Sequence, residues 1–375
     1  MTRSRRLATA LTVSLLVVAA APFLGSIQSA AAAVLGKRFY VPVLGLAFAL
    51  ALGLVLAWTL WRIRERRAWR FALLATALLL MALQIFVWNR GMARLDAVER
   101  IHFLFYGLLA LLFYRVFRWW GGIPALAATL LAVVTIGTVD EWLQWLVPVR
   151  TGEWFDVLLN SYAGLCGVLF AVAVEPLEGE EWSARSGSWR QLSRLAAATL
   201  LVLAGFVHCA HLGYAHLDDE LGVHFHSYFT LDELAELSQR RAIEWREEPP
   251  PPLGPLQIED YFRTEAGWRV SYRNAAIQNG LLFAADRENL ILEKYYAPFL
   301  EIGHALSPKV RERLVAARQP GSDRIHVSPA DLGRVFVWPS KTVLWIMVLA
   351  AVGTLLVGSV VGSTSSERGQ RRTRS

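Results

Sequence analysis

The sequence predicts an all-α polytopic membrane protein: about eight transmembrane helices, with a mainly helical extracytoplasmic domain inserted before the last. Three observations lead there. Of 375 residues, 55% are hydrophobic and only 18% charged, whereas a soluble domain is about a quarter charged. The apolar residues gather into runs near the roughly 20 residues that cross a bilayer as a helix. Lys and Arg recur on alternate connections, which is how multi-pass chains record their orientation.

The runs are Leu7–Leu24, Tyr40–Leu60, Phe71–Trp88, Ile101–Tyr114, Ile123–Leu146, Phe155–Val174, Leu195–Leu212 and Thr342–Val361. The fourth is shortest and reaches spanning length only by including Val116–Trp120, which brings Arg115 and Arg118 to its inner end. If every run crosses, one side receives Arg3, Arg5 and Arg6, the Arg62–Arg70 connection, Arg115 and Arg118, and the tail arginines from Arg368 to Arg374. The Lys/Arg bias makes that side the cytoplasm, with both termini on it. The first run, preceded by Arg3-Ser4-Arg5-Arg6 and followed by Ser29-Ala30-Ala31-Ala32, also reads as a cleavable signal peptide. The expected location is a bacterial plasma (inner) membrane.

The opposite side receives short loops and one large segment, Gly213–Ser340, with 14 Lys/Arg against 19 Asp/Glu, about −5. The formal +7 of the chain therefore comes from the cytoplasmic pieces. These basic residues read as a topology signal, forming no single folded patch, and no nucleic-acid partner is implied. Cys166 and Cys209 both fall in membrane helices and suggest no disulfide framework.

Five parts follow. Residues 1–90 are N-terminal spans. Residues 91–176 are a three-helix unit with short loops. Residues 177–212 are a cytoplasmic linker, clearest over Glu175–Arg190, and the seventh span. Residues 213–340 are the external domain, and 341–375 the last span and basic tail. In the external domain, Thr230 with Glu233 forms an N-cap signature, and Leu234, Leu237 and Ala242 follow at helical spacing. Pro249–Pro252 ends that helix. Ile258–Leu300 carries apolar positions at helical spacing broken at Gly280, Ser307-Pro308 opens a further helix, and Val327–Val337 is a short strand pair or irregular.

The candidate site lies between Asp96 and Gly167. Polar and ionisable residues at membrane depth are costly without a partner or a wet cavity. His102 with Tyr106 opens the fourth span. Asp140 and Gln144 share a face at the end of the fifth (i,i+4), while Glu141 falls about 100° away. Asp156 and Asn160 repeat that spacing at the start of the sixth, with Gly164 and Gly167 permitting close helix approach. Arg150 sits in the loop between, and Arg100 just outside the fourth span. The set suits three tasks: holding a headgroup with phosphate or sugar, acid–base chemistry with His102, Glu141 and Asp156 as catalytic candidates, or a divalent cation. The same residues also suit pinning three helices together; Tyr106 and Gln144 read as structural.

The run Glu99-Arg100-Ile101-His102-Phe103-Leu104-Phe105-Tyr106-Gly107-Leu108, then Asp140-Glu141-Trp142-Leu143-Gln144 with Pro148-Val149-Arg150-Thr151-Gly152, then Asp156-Val157-Leu158-Leu159-Asn160 with Gly164 and Gly167, resembles the VanZ-like family of membrane proteins. The resemblance covers about residues 90–176. Arg100 stands where the family usually has Lys, which keeps the charge and changes the hydrogen-bonding fork. The family takes its name from an accessory to glycopeptide-antibiotic resistance. The resemblance implies action at the outer membrane surface on cell-wall or lipid-linked intermediates. The polar constellation itself gives Arg100, His102, Asp140, Gln144, Arg150, Asp156 and Asn160 as the expected ligand-binding residues. The resemblance carries no settled reaction, and the external domain lies outside the family pattern.

Five of eight histidines fall between 208 and 226. His208 and His211 are i,i+3 on a helix, and His216 follows; imidazole and carboxylate suit zinc or a similar metal. A wet, His-rich junction that titrates near neutrality is the other reading. No cofactor is evident, and a divalent metal is the only one these residues suggest. In the external domain, Tyr261, Glu265 and Trp268 share a helical face, Glu265 and Arg269 form an i,i+4 pair, and Arg273-Asn274 and Glu288-Asn289 are its polar sets. These read as core and salt-bridged flank, or as a saccharide- or peptide-binding surface.

Three functions remain open: recognition of a lipid-linked or cell-envelope ligand, an enzyme acting on such a lipid, and a scaffold docking an envelope protein through residues 213–340.

Overall fold

The computed structural model describes residues 2–63, 68–87, 93–146, 152–250, 260–318, 325–331 and 333–372. Among these, eight helices are long and apolar enough to cross a membrane, matching the eight runs. The chain divides into two compact units, one of Met1–Trp145, Arg150–Phe206 and Trp345–Ser375, the other of Leu146–Val149 and Val207–Leu344.

The first unit contains α1 (Arg3–Leu35), α2 (Lys37–Arg62), α3 (Ala68–Val87), α4 (Ala93–Phe117), α5 (Gly122–Trp145), α6 (Trp154–Val174), most of α7 (Ser188–Ala210) and most of α13 (Lys341–Arg372). At its centre α4 packs along α6 more extensively than any other pair of elements, and α5 packs on both. Small residues make this possible. A Cβ on Gly167 would stand 2.6 Å from the Ala110 Cβ, and one on Gly164 2.6 Å from Val133 Cγ1. Tyr106, Leu109, Ala110, Val133 and Ala163 are almost fully buried there. α1 packs on α4 and α5, with Ala10 and Ala21 fully buried. Outer positions such as Leu46, Leu50 and Leu54 of α2 and Ile346 and Leu349 of α13 stay exposed, the pattern of helices whose solvent is lipid.

Two sequence expectations change here. Residues 175–190 are fastened to the bundle. Glu175 pairs with Arg115, Glu181 with Arg118 at 2.9 Å, Leu177 is buried, and the Trp120 carbonyl accepts from Arg185 N and Ser188 Oγ. The arginines also do more than mark a side. Although they lie on separate connections in sequence, five of them line one cavity.

The second unit begins with β1 (Tyr214–Asp218), β2 (Val223–Ser227), α8 (Leu231–Glu247), α9 (Tyr261–Gln278) and α10 (Leu282–Tyr295). It continues through the single turn α11 (Ala297–Phe299), α12 (Pro308–Ala316) and β3 (His326–Val327). Thr230 caps α8 in a reciprocal box with Glu233. β1 pairs antiparallel with β2, and β3 adds in parallel, giving the order β1-β2-β3. The two-residue β3 carries no periodicity that a sequence reading can use. The core joins Phe225, Leu234, Phe262, Ile291, Leu292 and Tyr296. Within it Arg269 is buried with Asp331 at 3.1 Å and Glu288 at 3.5 Å. Glu265 instead accepts from Ser227 Oγ, Tyr228 N and the Tyr296 hydroxyl.

Candidate functional site

Three consecutive helices supply one polar cluster. α4 brings His102 and Tyr106, which lie one turn apart with rings stacked at 5.9 Å. α6 brings Asn160, whose Oδ1 lies 2.6 Å from His102 Nδ1. With the amide in this orientation Nδ1–H donates, leaving the lone pair on His102 Nε2. α5 brings Asp140, Glu141 and Gln144, all buried. The Tyr106 hydroxyl donates to Asp140 Oδ2 at 2.8 Å, and Gln144 Nε2 donates to Asp140 Oδ2 at 3.3 Å and Glu141 Oε1 at 3.0 Å.

The contacts depend on a local lack of side chain. A Cβ on Gly137, one turn before Asp140, would stand 2.8 Å from the Asn160 Cβ and 3.3 Å from Tyr106 Cε1. Gly152 similarly lies against the α5 end, 2.7 Å from Trp145 Cβ for an added carbon. Glu153 N then donates to Glu141 Oε2 at 3.3 Å.

The cluster sharpens the sequence reading at two points. Glu141, expected on another face, is fully buried and joins the network because the Gln144 side chain reaches back one turn to it. Tyr106 and Gln144, read as structural, donate to the carboxylates of the cluster; the spacing of Gln144 one turn after Asp140 was the available signal, whereas Tyr106 reaches Asp140 from another helix. Asp156 is half-buried. Arg150 lies outside the described residues. Arg100 is half-buried, and its Nε and Asn160 Nδ2 are buried donors with no hydrogen-bond partner among the described residues.

This arrangement concentrates carboxylates at membrane depth with a histidine held by its neighbours. Residues 84–175, which span α4, α5 and α6, match the family model VanZ/LLP1. This segment is VanZ-like. No curated protein and no solved structure gives a significant match to the chain. The VanZ-like segment carries every residue of the cluster, and the chain as a whole is a multi-pass membrane protein by its eight apolar helices.

The histidines expected as metal ligands do not assemble. Among the described residues no group of three or more His, Cys, Asp or Glu side chains is placed to hold a metal ion. His208 lies in the last turn of α7. His211 Nδ1 meets the Arg334 carbonyl at 2.9 Å, and His216 Nε2 meets the Phe229 carbonyl at 2.9 Å. These rings tie strands and loops of the second unit together. The polar sets of that unit are likewise engaged: Arg273 donates to Asn274 Oδ1, Asn289 Oδ1 and the His304 carbonyl.

Proposed function

We propose that the VanZ-like segment binds the polar headgroup of a lipid-linked or cell-envelope ligand. The observation that carries this reading is Asn160. It is fully buried, and its Nδ2 finds no acceptor among the described residues. An unpaired buried donor usually marks a missing partner. An acceptor on a ligand, such as a phosphate oxygen, a sugar hydroxyl or an amide carbonyl, completes it. Arg150 and Arg100 would take the anionic group, and Asp140 and Asp156 the hydroxyls. A role in envelope maintenance or glycopeptide-type antibiotic resistance rests on the family likeness alone.

A second reading is an enzyme on the same ligand. It is favoured by His102, whose ring is held through Nδ1 and stacked on Tyr106, the way a general base is oriented. Mass spectrometry of solvent extracts from the purified full chain tests binding. A lipid-linked species should copurify with wild type and fall at least about tenfold in Asn160→Ala, the loss of one good contact. Equal recovery from both refutes the reading. His102→Gln that keeps the ligand while the purified protein loses turnover of it selects the enzyme.

A further inference from the structure

The other end of the same helices carries the opposite charge. A cavity of about 630 Å³ is lined by Arg6, Arg62, Arg70, Arg115 and Arg118, from α1 to α4 and the turn after α4. Among the described residues of its lining, only Glu175 and Glu178 are acidic, two negative charges against five positive. His102 and Arg115 of α4 are 13 residues apart, about 20 Å along a helix, so this cavity is distinct from the VanZ-like cluster. Arg6, Arg62 and Arg70 also lie outside the family segment.

A topology signal needs arginines on one side of the membrane. It does not need them to converge on one cavity, where like charges repel. Carboxylates answer part of the charge: Arg115 bonds Glu175 through Nε and Nη2, and Arg118 pairs with Glu181. Arg70 donates from Nε and Nη2 to the Ala173 and Val174 carbonyls, each at 2.8 Å, closing the α6 end. Among the described residues, Arg6 donates to the Arg115 carbonyl alone, at 3.2 Å. Neither Arg6 nor Arg62 has a carboxylate partner among the described residues. Guanidinium groups grouped in this way suit a phosphate.

The neighbouring surface says what the phosphate is attached to. An almost wholly apolar cleft of about 300 Å³ is lined from α2, α3, α4 and α6. On three helices its lining stands one turn, about 6 Å, from the basic cavity: Trp58 precedes Arg62, Leu111 precedes Arg115, and Phe170 precedes Val174. We propose that the cavity holds the phosphate-bearing headgroup of an anionic membrane lipid, with an acyl chain in the apolar cleft. Basic pockets between helices at the cytoplasmic face are suited to such lipids.

Native mass spectrometry of the full chain in detergent tests this, titrating dioctanoyl-phosphatidylglycerol, dioctanoyl-phosphatidylcholine and inorganic phosphate. Wild type should bind one phosphatidylglycerol in preference to phosphatidylcholine. Arg6→Gln/Arg62→Gln should weaken it at least about tenfold at unchanged melting temperature, and Arg190→Gln, outside the cavity, should leave it unchanged. Gly107 lines the cleft, and an added Cβ there meets nothing within 4 Å. Gly107→Leu should therefore weaken the lipid and spare any phosphate binding. Equal affinity for the two lipids, or equal loss in the double variant and Arg190→Gln, overturns the site as diffuse charge. Inorganic phosphate that binds as tightly as the lipid, with the lipid unaffected by Gly107→Leu, overturns the lipid and leaves a soluble anion.

Discussion

His102 and Asn160 lie 58 positions apart and meet at 2.6 Å between Nδ1 and Oδ1. That contact joins α4 to α6 at the polar end of the VanZ-like segment, and it exists because Gly137 of α5 leaves room for Asn160. The cluster is thus as much a product of missing side chains as of charged ones.

Gly137→Ala should destabilise the bundle by about 1–3 kcal/mol, the cost of an added carbon in a packed interior, and loosen the His102–Asn160 contact. Gly53→Ala, where nothing lies within 4 Å of the added carbon, should be neutral or slightly stabilising. Thermal unfolding in detergent compares them; equal melting temperatures would show that the close approach is relaxed at no cost.

Tyr106→Phe removes a donor from the buried Asp140 carboxylate, whereas Tyr162→Phe removes one from the Leu80 carbonyl. Bonds to charged groups contribute about 1.5–3 kcal/mol and neutral ones about 0.5–1.5 kcal/mol. Tyr106→Phe should therefore cost more in the same melting assay, and the reverse order would mean that the Tyr106–Asp140 bond contributes no more than a neutral one.

In the second unit, Arg269→Met strands Glu288 and Asp331, both essentially without exposure. Breaking a buried pair from one side costs about 3–5 kcal/mol. Tryptophan fluorescence during urea unfolding of the full chain should show an early transition of this unit; an unchanged midpoint would mean that the Arg269 pairs contribute little to its stability.

Acidification should weaken the same unit. Burial lowers the His216 pKa below its usual 6.5, the bond to the Phe229 carbonyl pulls it back, and the charges of Arg269, His226 and His224 lower it again. The unfolded chain therefore takes up the proton first, so the contribution is present above about pH 6.5 and is lost as pH falls from there through the lower folded pKa. The melting temperature of the unit should be lower at pH 5 than at pH 7.5, and His216→Gln should reduce the difference. The same pH dependence in His216→Gln would assign it elsewhere.

Much of this was legible in the sequence. Apolar length alone locates the eight helices, and the Thr230–Glu233 box locates the start of α8, because both signals are local. Charged residues at membrane depth mark the cluster because few physical reasons tolerate them there. The pairing inside the cluster was not legible: that Asp140 takes the Tyr106 hydroxyl depends on how α5 is rotated against α4, which Gly137 and packing decide. The arginine cavity was hidden for a related reason. Arg6 and Arg115 are 109 positions apart, and no window along the chain brings such residues together.

The most direct test of the account is native mass spectrometry of the purified full chain beside Arg150→Ala and Asp156→Ala. The account predicts a bound lipid-linked species on wild type that is lost from both variants. Identical spectra from all three, with nothing bound, would contradict it and leave the cluster as polar contacts that pin three helices together.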